Sequence, residues 1–154
     1  MRTMPEAIPV DGATAEHVLE HLRHRGARVT TARRAIVEAM VNAQGHRTAD
    51  EIAAAIHDAY PSINRSTVYR NLEELERLGV LVHAHLGHGA ATYHLAANAH
   101  SHLVCERCGV ALSVPTELFS ELSTTMLAQY GFTIDPLHFS VLGICAPCRS
   151  TDAP

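Results

Sequence analysis

Two Cys-x-x-Cys pairs, Cys105–Cys108 and Cys145–Cys148, constrain this chain more than any other feature. Each pair can place two sulfurs on one ion, and two such turns complete a tetrahedral thiolate site. The gap between the pairs is longer than the common ribbon spacing, and a redox dithiol or unrelated cysteines are the competing readings. Paired turns flanking predicted strands favour structural Zn(2+). The half of the chain that carries them is too short to bury much core alone. It therefore needs a metal staple, a partner, or both.

The remaining bounds are broad. With 154 residues, 47% hydrophobic and 18% charged, the chain suits one domain or two small ones and is neither a disordered tail nor a collagen. No apolar run reaches membrane-spanning length, so no membrane association is expected. The opening MRTMPEAIPVDGA has no hydrophobic signal region, which makes a cytoplasmic location the expectation. All 12 basic residues are Arg, and His is unusually frequent at 12.

Hydrophobic periodicity divides the chain. Thr14 to Arg25 reads as a helix, and Thr30 caps a second with Ala35, Ile36, Ala39 and Met40 as its stripe. Thr48 caps a third helix with acids in its first turn, and Ser66 is read as the cap of a fourth that runs to Leu78 and stops at Gly79. Val80–Val82 and Ala91–Leu95 then read as a hairpin around Gly87, His88 and Gly89. That order is a winged helix-turn-helix. Beyond a small polar stretch, strands are expected over 102–105, 110–114 and 138–144, with a helix over 116–130 bearing Leu118, Leu122 and Met126 on one face. The fold class is thus α+β, an N-terminal winged helix-turn-helix followed by a small C-terminal α/β unit. The predicted boundaries are 1–95 for the first domain, 96–101 for a hinge and 102–154 for the second.

The formal net charge of −4 does not suggest nucleic acid, but its distribution matters more. Arg23, Arg25, Arg28, Arg33 and Arg34 form a local basic stripe, which charge alone would assign to a solvated helix face. On the fourth helix, the face opposite the leucines carries Ser66, Tyr69, Arg70, Glu73 and Arg77, with its aromatic and cationic part near the N-terminus. A recognition helix presents side chains to base edges and phosphates there. The alternative is a surface helix with a Glu73–Arg77 ion pair, and the following hairpin favours DNA.

Two His-x-His pairs, His83/His85 and His100/His102, fall on predicted strands, where alternation puts both imidazoles on one face so that each pair can share a metal. His46, His94 and His138 lie near element ends, and His88 is an extra candidate in the hairpin turn. Imidazole sites suit Zn, Ni, Cu or Fe, and the lack of thiolate leans away from Cu(I).

The segments RVTTARR (28–34), HRTADEI (46–52), STVYRNL (66–72), HSHLVCERCG (100–109) and CAPC (145–148) together resemble the ferric uptake regulator family along nearly the whole chain. Within it, HAHLGHGAATYHL (83–95) and LHF (137–139) are similar to the nickel uptake regulator branch. The resemblance implies a homodimeric repressor on palindromic double-stranded operator DNA, with the C-terminal unit as its dimerisation domain and Ni(2+) at His83, His85 and His138. It implies a regulatory site at His46, His100 and His102. A fourth ligand of the branch is replaced here by Asn98, for which His94 is the substitute candidate. A third family site reads Ala99, Ser101 and Ser120 here, keeps only His138, and is expected to be absent. The DNA-contacting set is Arg28, Arg33, Ser66, Thr67, Tyr69 and Arg70, with Arg33 carried over as a phosphate contact. Effectors Zn(2+) or Fe(2+) are alternatives within the family. A His-rich metallohydrolase is disfavoured because acids that could serve as general base are scarce beside these histidines. A metal-storage module would leave the helix–hairpin unit without purpose. No enzymatic activity is expected.

Overall fold

The computed structural model describes residues 14–150 except 44, 88, 99, 136 and 139. The N-terminal 13 residues, His88 and Ala99 therefore lie outside the described residues. The chain forms two compact units, Met1–His83 with Thr92–Ala99, and Ala84–Ala91 with His100–Pro154.

The first unit is built from α1 (Ala15–His24), α2 (Thr31–Asn42), β1 (Arg47–Thr48), α3 (Ala49–His57), α4 (Arg65–Arg77), β2 (Leu81–Ala84) and β3 (Thr92–Leu95). Thr14 and Thr30 cap α1 and α2 by accepting from backbone N–H groups three residues on. Thr48 and Glu51 form a reciprocal capping box at α3. The cap of α4 is Asn64, not Ser66. Its Oδ1 accepts from the Thr67 N–H at 2.9 Å and from the Ser66 hydroxyl at 2.8 Å, so the helix begins one residue before Ser66. Apolar stripes on the four helices converge on one core that includes Leu19, Leu22, Ile36, Ile52, Val68, Leu72 and Leu75. The three strands form a sheet in the order β1-β3-β2. The two-residue β1 pairs antiparallel with β3 (Arg47 with Tyr93, Thr48 with Thr92), a wing strand too short for periodicity to reveal.

The second unit contains β4 (Ser101–Cys105), β5 (Ala111–Val114), α5 (Ser120–Tyr130), β6 (Ser140–Gly143) and α6 (Ala146–Ser150). β4 is central, antiparallel to β5 and parallel to β6. A 3-10 turn over Thr116–Phe119 precedes α5, which ends at Gly131 in the left-handed conformation (φ 62°). The helix expected over 116–130 thus begins as a 3-10 turn, and none of the residues of α5 is buried, with Leu122 and Leu127 42% and 57% exposed. The expected hinge over 96–101 contains a 3-10 turn at Ala96–Asn98 and the first residue of β4. Among the described residues, no helix is long and apolar enough to cross a membrane.

Candidate metal centres and nucleic-acid face

Parallel pairing of β4 and β6 assembles the cysteine cluster. Cys105 is in register with Gly143, so both strands end at one edge and each runs into its Cys-x-x-Cys turn. Cys105 closes β4 and Cys108 follows in a turn whose Gly109 has φ 72°, a value only glycine adopts without strain. Cys145 follows β6 and Cys148 lies in α6. The four sulfurs lie within 4.8 Å of one another, with Cys108 Sγ and Cys145 Sγ 3.7 Å apart.

Backbone N–H groups of Cys145 and Cys108 lower the Cys105 thiol to about 6, the Cys145 donor lying 3.4 Å from the sulfur. Hydrogen bonds with the sulfurs of Cys145 and Cys108 push Cys148 up to about 12. One thiolate is welcome in this cluster, whereas four would repel one another unless a cation were shared. The donor set therefore fits a four-thiolate divalent ion. Arg107 donates from Nη1 to the Cys148 carbonyl at 2.9 Å and braces one turn against the other.

The imidazoles fall into pairs within each unit. In the first, His46 and His94 meet edge to face with ring centroids 4.7 Å apart, and His94 is 3% exposed. In the second, His100 and His102 meet at 4.6 Å, and His102 is 1% exposed. His102 lies on β4, whereas His100 stands just before it, since the strand begins at Ser101. Imidazoles this buried stand where apolar side chains usually do, which sets them apart from surface histidines.

His83 and His138 share a different feature. His83 Nδ1 lies 2.6 Å from Glu76 Oε1 within the first unit, and His138 Nδ1 lies 2.7 Å from Asp135 Oδ2 within the second. A carboxylate only accepts, so in both cases Nδ1–H donates and Nε2 is the lone-pair nitrogen. Both acids were missed in the sequence. Acids three and seven residues before a histidine become neighbours only once the intervening turn or strand is known. Two placements differ from expectation. β2 ends at Ala84, so His85 sits just past the strand and is exposed. β6 begins at Ser140, so His138 lies in the turn before the last strand, not on it. The His85 carbonyl accepts from the Ser140 hydroxyl at 2.6 Å, which fixes that segment within the second unit.

On α4, Ser66, Tyr69 and Arg70 are exposed as expected, and Thr67 is partly covered because it donates to the cap at Asn64. Arg65 was overlooked. It pairs with Asp50 of α3, and its guanidinium lies 5.9 Å from the Tyr69 ring centroid, so a cation and an aromatic ring form one exposed surface. The Asp50 carboxylate and the Tyr69 hydroxyl hold this guanidinium above its usual value, the hydroxyl contributing more. The basic stripe is largely consumed locally. Arg23 and Arg34 both bind Glu16, Arg25 donates to the Leu78 carbonyl, and Arg33 donates to the Arg28 carbonyl at 2.8 Å. Arg33 thus braces the turn before α2, and Arg28 is the exposed member of that pair.

Comparisons with known proteins bear on family and fold. The sequence pattern described as the Ferric uptake regulator family matches residues 24–141. The peroxide-responsive repressor PerR of Staphylococcus aureus (strain USA300) is 30% identical over 148 residues, 92% of this chain and 99% of that protein. The ferric uptake regulator of Helicobacter pylori, a structure described as having three functional metal-binding sites, aligns with a TM-score of 0.70 at 20% identity, covering 92% of this chain and 97% of that one. A zinc uptake regulator solved with zinc and DNA aligns with a TM-score of 0.62 at 23% identity, covering 92% and 99%. At these identities the two structures speak for the fold.

Proposed function

The chain belongs to the ferric uptake regulator family, and from that premise we propose that it is a nickel-responsive repressor acting on palindromic operator DNA as a homodimer. Membership makes it a metal-responsive transcription regulator, not an enzyme. The observation that supports metal control is the two imidazole pairs, His46 with His94 and His100 with His102, each with one member almost wholly buried, while nickel as the effector rests on the likeness of 83–95 and 137–139 to the nickel uptake regulator branch. Neither pair alone fills the coordination sphere of a divalent ion.

In this reading His46, His94, His100 and His102 are the regulatory ligands, and His83, His85 and His138 the nickel ligands. Cys105, Cys108, Cys145 and Cys148 hold structural zinc. A divalent ion held by these nitrogens would favour whichever state of the protein binds it best, as differential affinity requires. Tyr69, Arg70, Ser66, Thr67 and Arg28 then meet DNA, with Arg33 holding Arg28 in place. The exposed Leu112, Leu118, Leu127, Tyr130 and Phe132 of the second unit support a homodimer, since apolar exposure on this scale marks an interface.

Fluorescence anisotropy with a palindromic duplex from upstream of the gene tests this, in chelator and in matched free Ni(2+), Zn(2+), Fe(2+) and Mn(2+). Nickel is expected to tighten binding most. Tightening by zinc or iron with nickel inert would replace the effector, and no binding under any metal would remove the repressor reading.

A further inference from the structure

We infer that Glu76 is a positioning residue that aims His83 at its metal and links that ligand to the DNA-reading helix. The inference rests on the nickel reading above. The bond between His83 Nδ1 and Glu76 Oε1, at 2.6 Å, has the length of a charge-assisted contact. The two side chains are 30% and 29% exposed, so the contact is shielded from full competition by water. Its other flank is closed by Tyr93, whose ring centroid lies 6.1 Å from that of His83 and which is 9% exposed. Burial, and then the Glu76 carboxylate, hold the Tyr93 phenol above its usual value. Carboxylate, imidazole and phenol thus form one packed group within the first unit.

Two consequences follow from the chemistry. Because the carboxylate accepts from Nδ1–H, the tautomer of His83 is set and Nε2 is fixed in direction as the ligand nitrogen. Glu76 also sits on α4, seven residues after Tyr69. Two helical turns put both on one face, about 10 Å apart along the axis. A metal held at Nε2 would polarise the Nδ1–H and strengthen its bond to Glu76, so α4 would carry part of the difference between loaded and unloaded states. Asp135 makes the corresponding contact to His138 at 2.7 Å, but within an exposed turn and on no DNA-reading element.

The test uses the full-length zinc-loaded protein with Glu76→Ala, Glu76→Gln and His83→Ala, each checked for zinc content and far-UV circular dichroism. Long-range 1H–15N NMR of the nickel-free protein reads the His83 tautomer. Wild type is expected to show Nδ1–H, Glu76→Gln to keep it through its amide oxygen, and Glu76→Ala to shift toward Nε2–H. Nickel affinity should fall about 10- to 100-fold in Glu76→Ala, with Glu76→Gln between. At saturating nickel, the metal-induced gain in operator affinity should also shrink in Glu76→Ala. If His83→Ala loses nickel while Glu76→Ala keeps tautomer, affinity and gain, the inference is overturned and the nickel reading stands. If His83→Ala binds nickel as wild type does, both fall.

Discussion

The two units solve the burial problem in opposite ways. The first closes its own core: sixteen buried residues, Val18 through Tyr93, form one cluster, thirteen of them on its four helices. In the second, the buried apolar side chains among the described residues are Ala84, Val104, Cys105 and Phe119. Its α5 buries nothing, and both faces of its sheet carry exposed apolar side chains, Leu112 and Val141 on one and Leu142 on the other, at 38–50% exposure. What the second unit has in place of a core is a four-sulfur cluster at one sheet edge and apolar side chains left exposed. The first unit is closed by its own chain, whereas the second is not.

The largest effect should come from attacking the staple. Cys145→Ser removes one of four donors and with it most of the metal-linked folding energy, for which structural zinc in small domains sets a scale of ~10–16 kcal/mol. Loss of zinc and of the dimer is expected, with the helical signal of the first unit retained. Size-exclusion chromatography with metal analysis checks the first part and circular dichroism the second. Retention of a dimer without zinc would show that the second unit has more of its own core than its burial indicates.

A sharper contrast uses the same substitution in both units. Leu72 is 0% exposed, and Leu72→Ala should destabilise the first unit by about 2–5 kcal/mol through lost burial and a residual cavity. Leu127 is 57% exposed, so Leu127→Ala should leave unimolecular stability nearly unchanged and instead weaken the dimer. Denaturation at several protein concentrations separates the two: a concentration-independent shift for Leu72, a concentration-dependent one for Leu127. A midpoint for Leu127→Ala that is insensitive to concentration would place the interface elsewhere.

A closed core leaves the outer face of the first unit available for DNA. Arg65 stands there beside Tyr69, paired with Asp50. Arg65→Ala should lower operator affinity and reduce the slope of log affinity against log salt by about 1 if the guanidinium meets a phosphate. An unchanged slope would leave Arg65 as a brace for Tyr69 only.

How much of this was legible in the sequence follows the same divide. Helices of the first unit could be read because a core made by one chain imposes a 3.6-residue period on that chain, as in Val68, Leu72 and Leu75. Leu118 in the 3-10 turn and Leu122 and Met126 on α5 have a period too, but none of the three is buried within this chain. The cysteine cluster was legible from spacing, and the closeness of His100 to His102 from their separation by one residue, although only His102 lies on β4. Glu76, Asp135 and Arg65 were not, because each acquires its role from a neighbour on another turn or element. The cap at Asn64 was missed because Ser66, two residues on, is also a good capping residue, and the hydrogen bond to Thr67 is what decides between them.

The smallest effect tests local self-sufficiency in the first unit. The Thr48 hydroxyl accepts from the Glu51 N–H at 3.2 Å, and the Glu51 carboxylate accepts from the Thr48 N–H at 2.7 Å. Thr48→Ala should lower stability by about 1 kcal/mol. The Thr48 N–H and hydroxyl hold the Glu51 carboxyl below its ordinary 4.5, the N–H contributing more. A carboxyl whose folded-state value is depressed stabilises the fold above its unfolded value and loses that contribution as pH falls through the folded one. The difference between wild type and Glu51→Ala should therefore be constant near neutrality and shrink once pH drops below 4.5. Thermal melts from pH 7 to pH 3 follow it. A gap that stays constant to the acid end would mean that the protonated carboxyl caps α3 as well as the ionised one, leaving charge with no part in the first unit's capping.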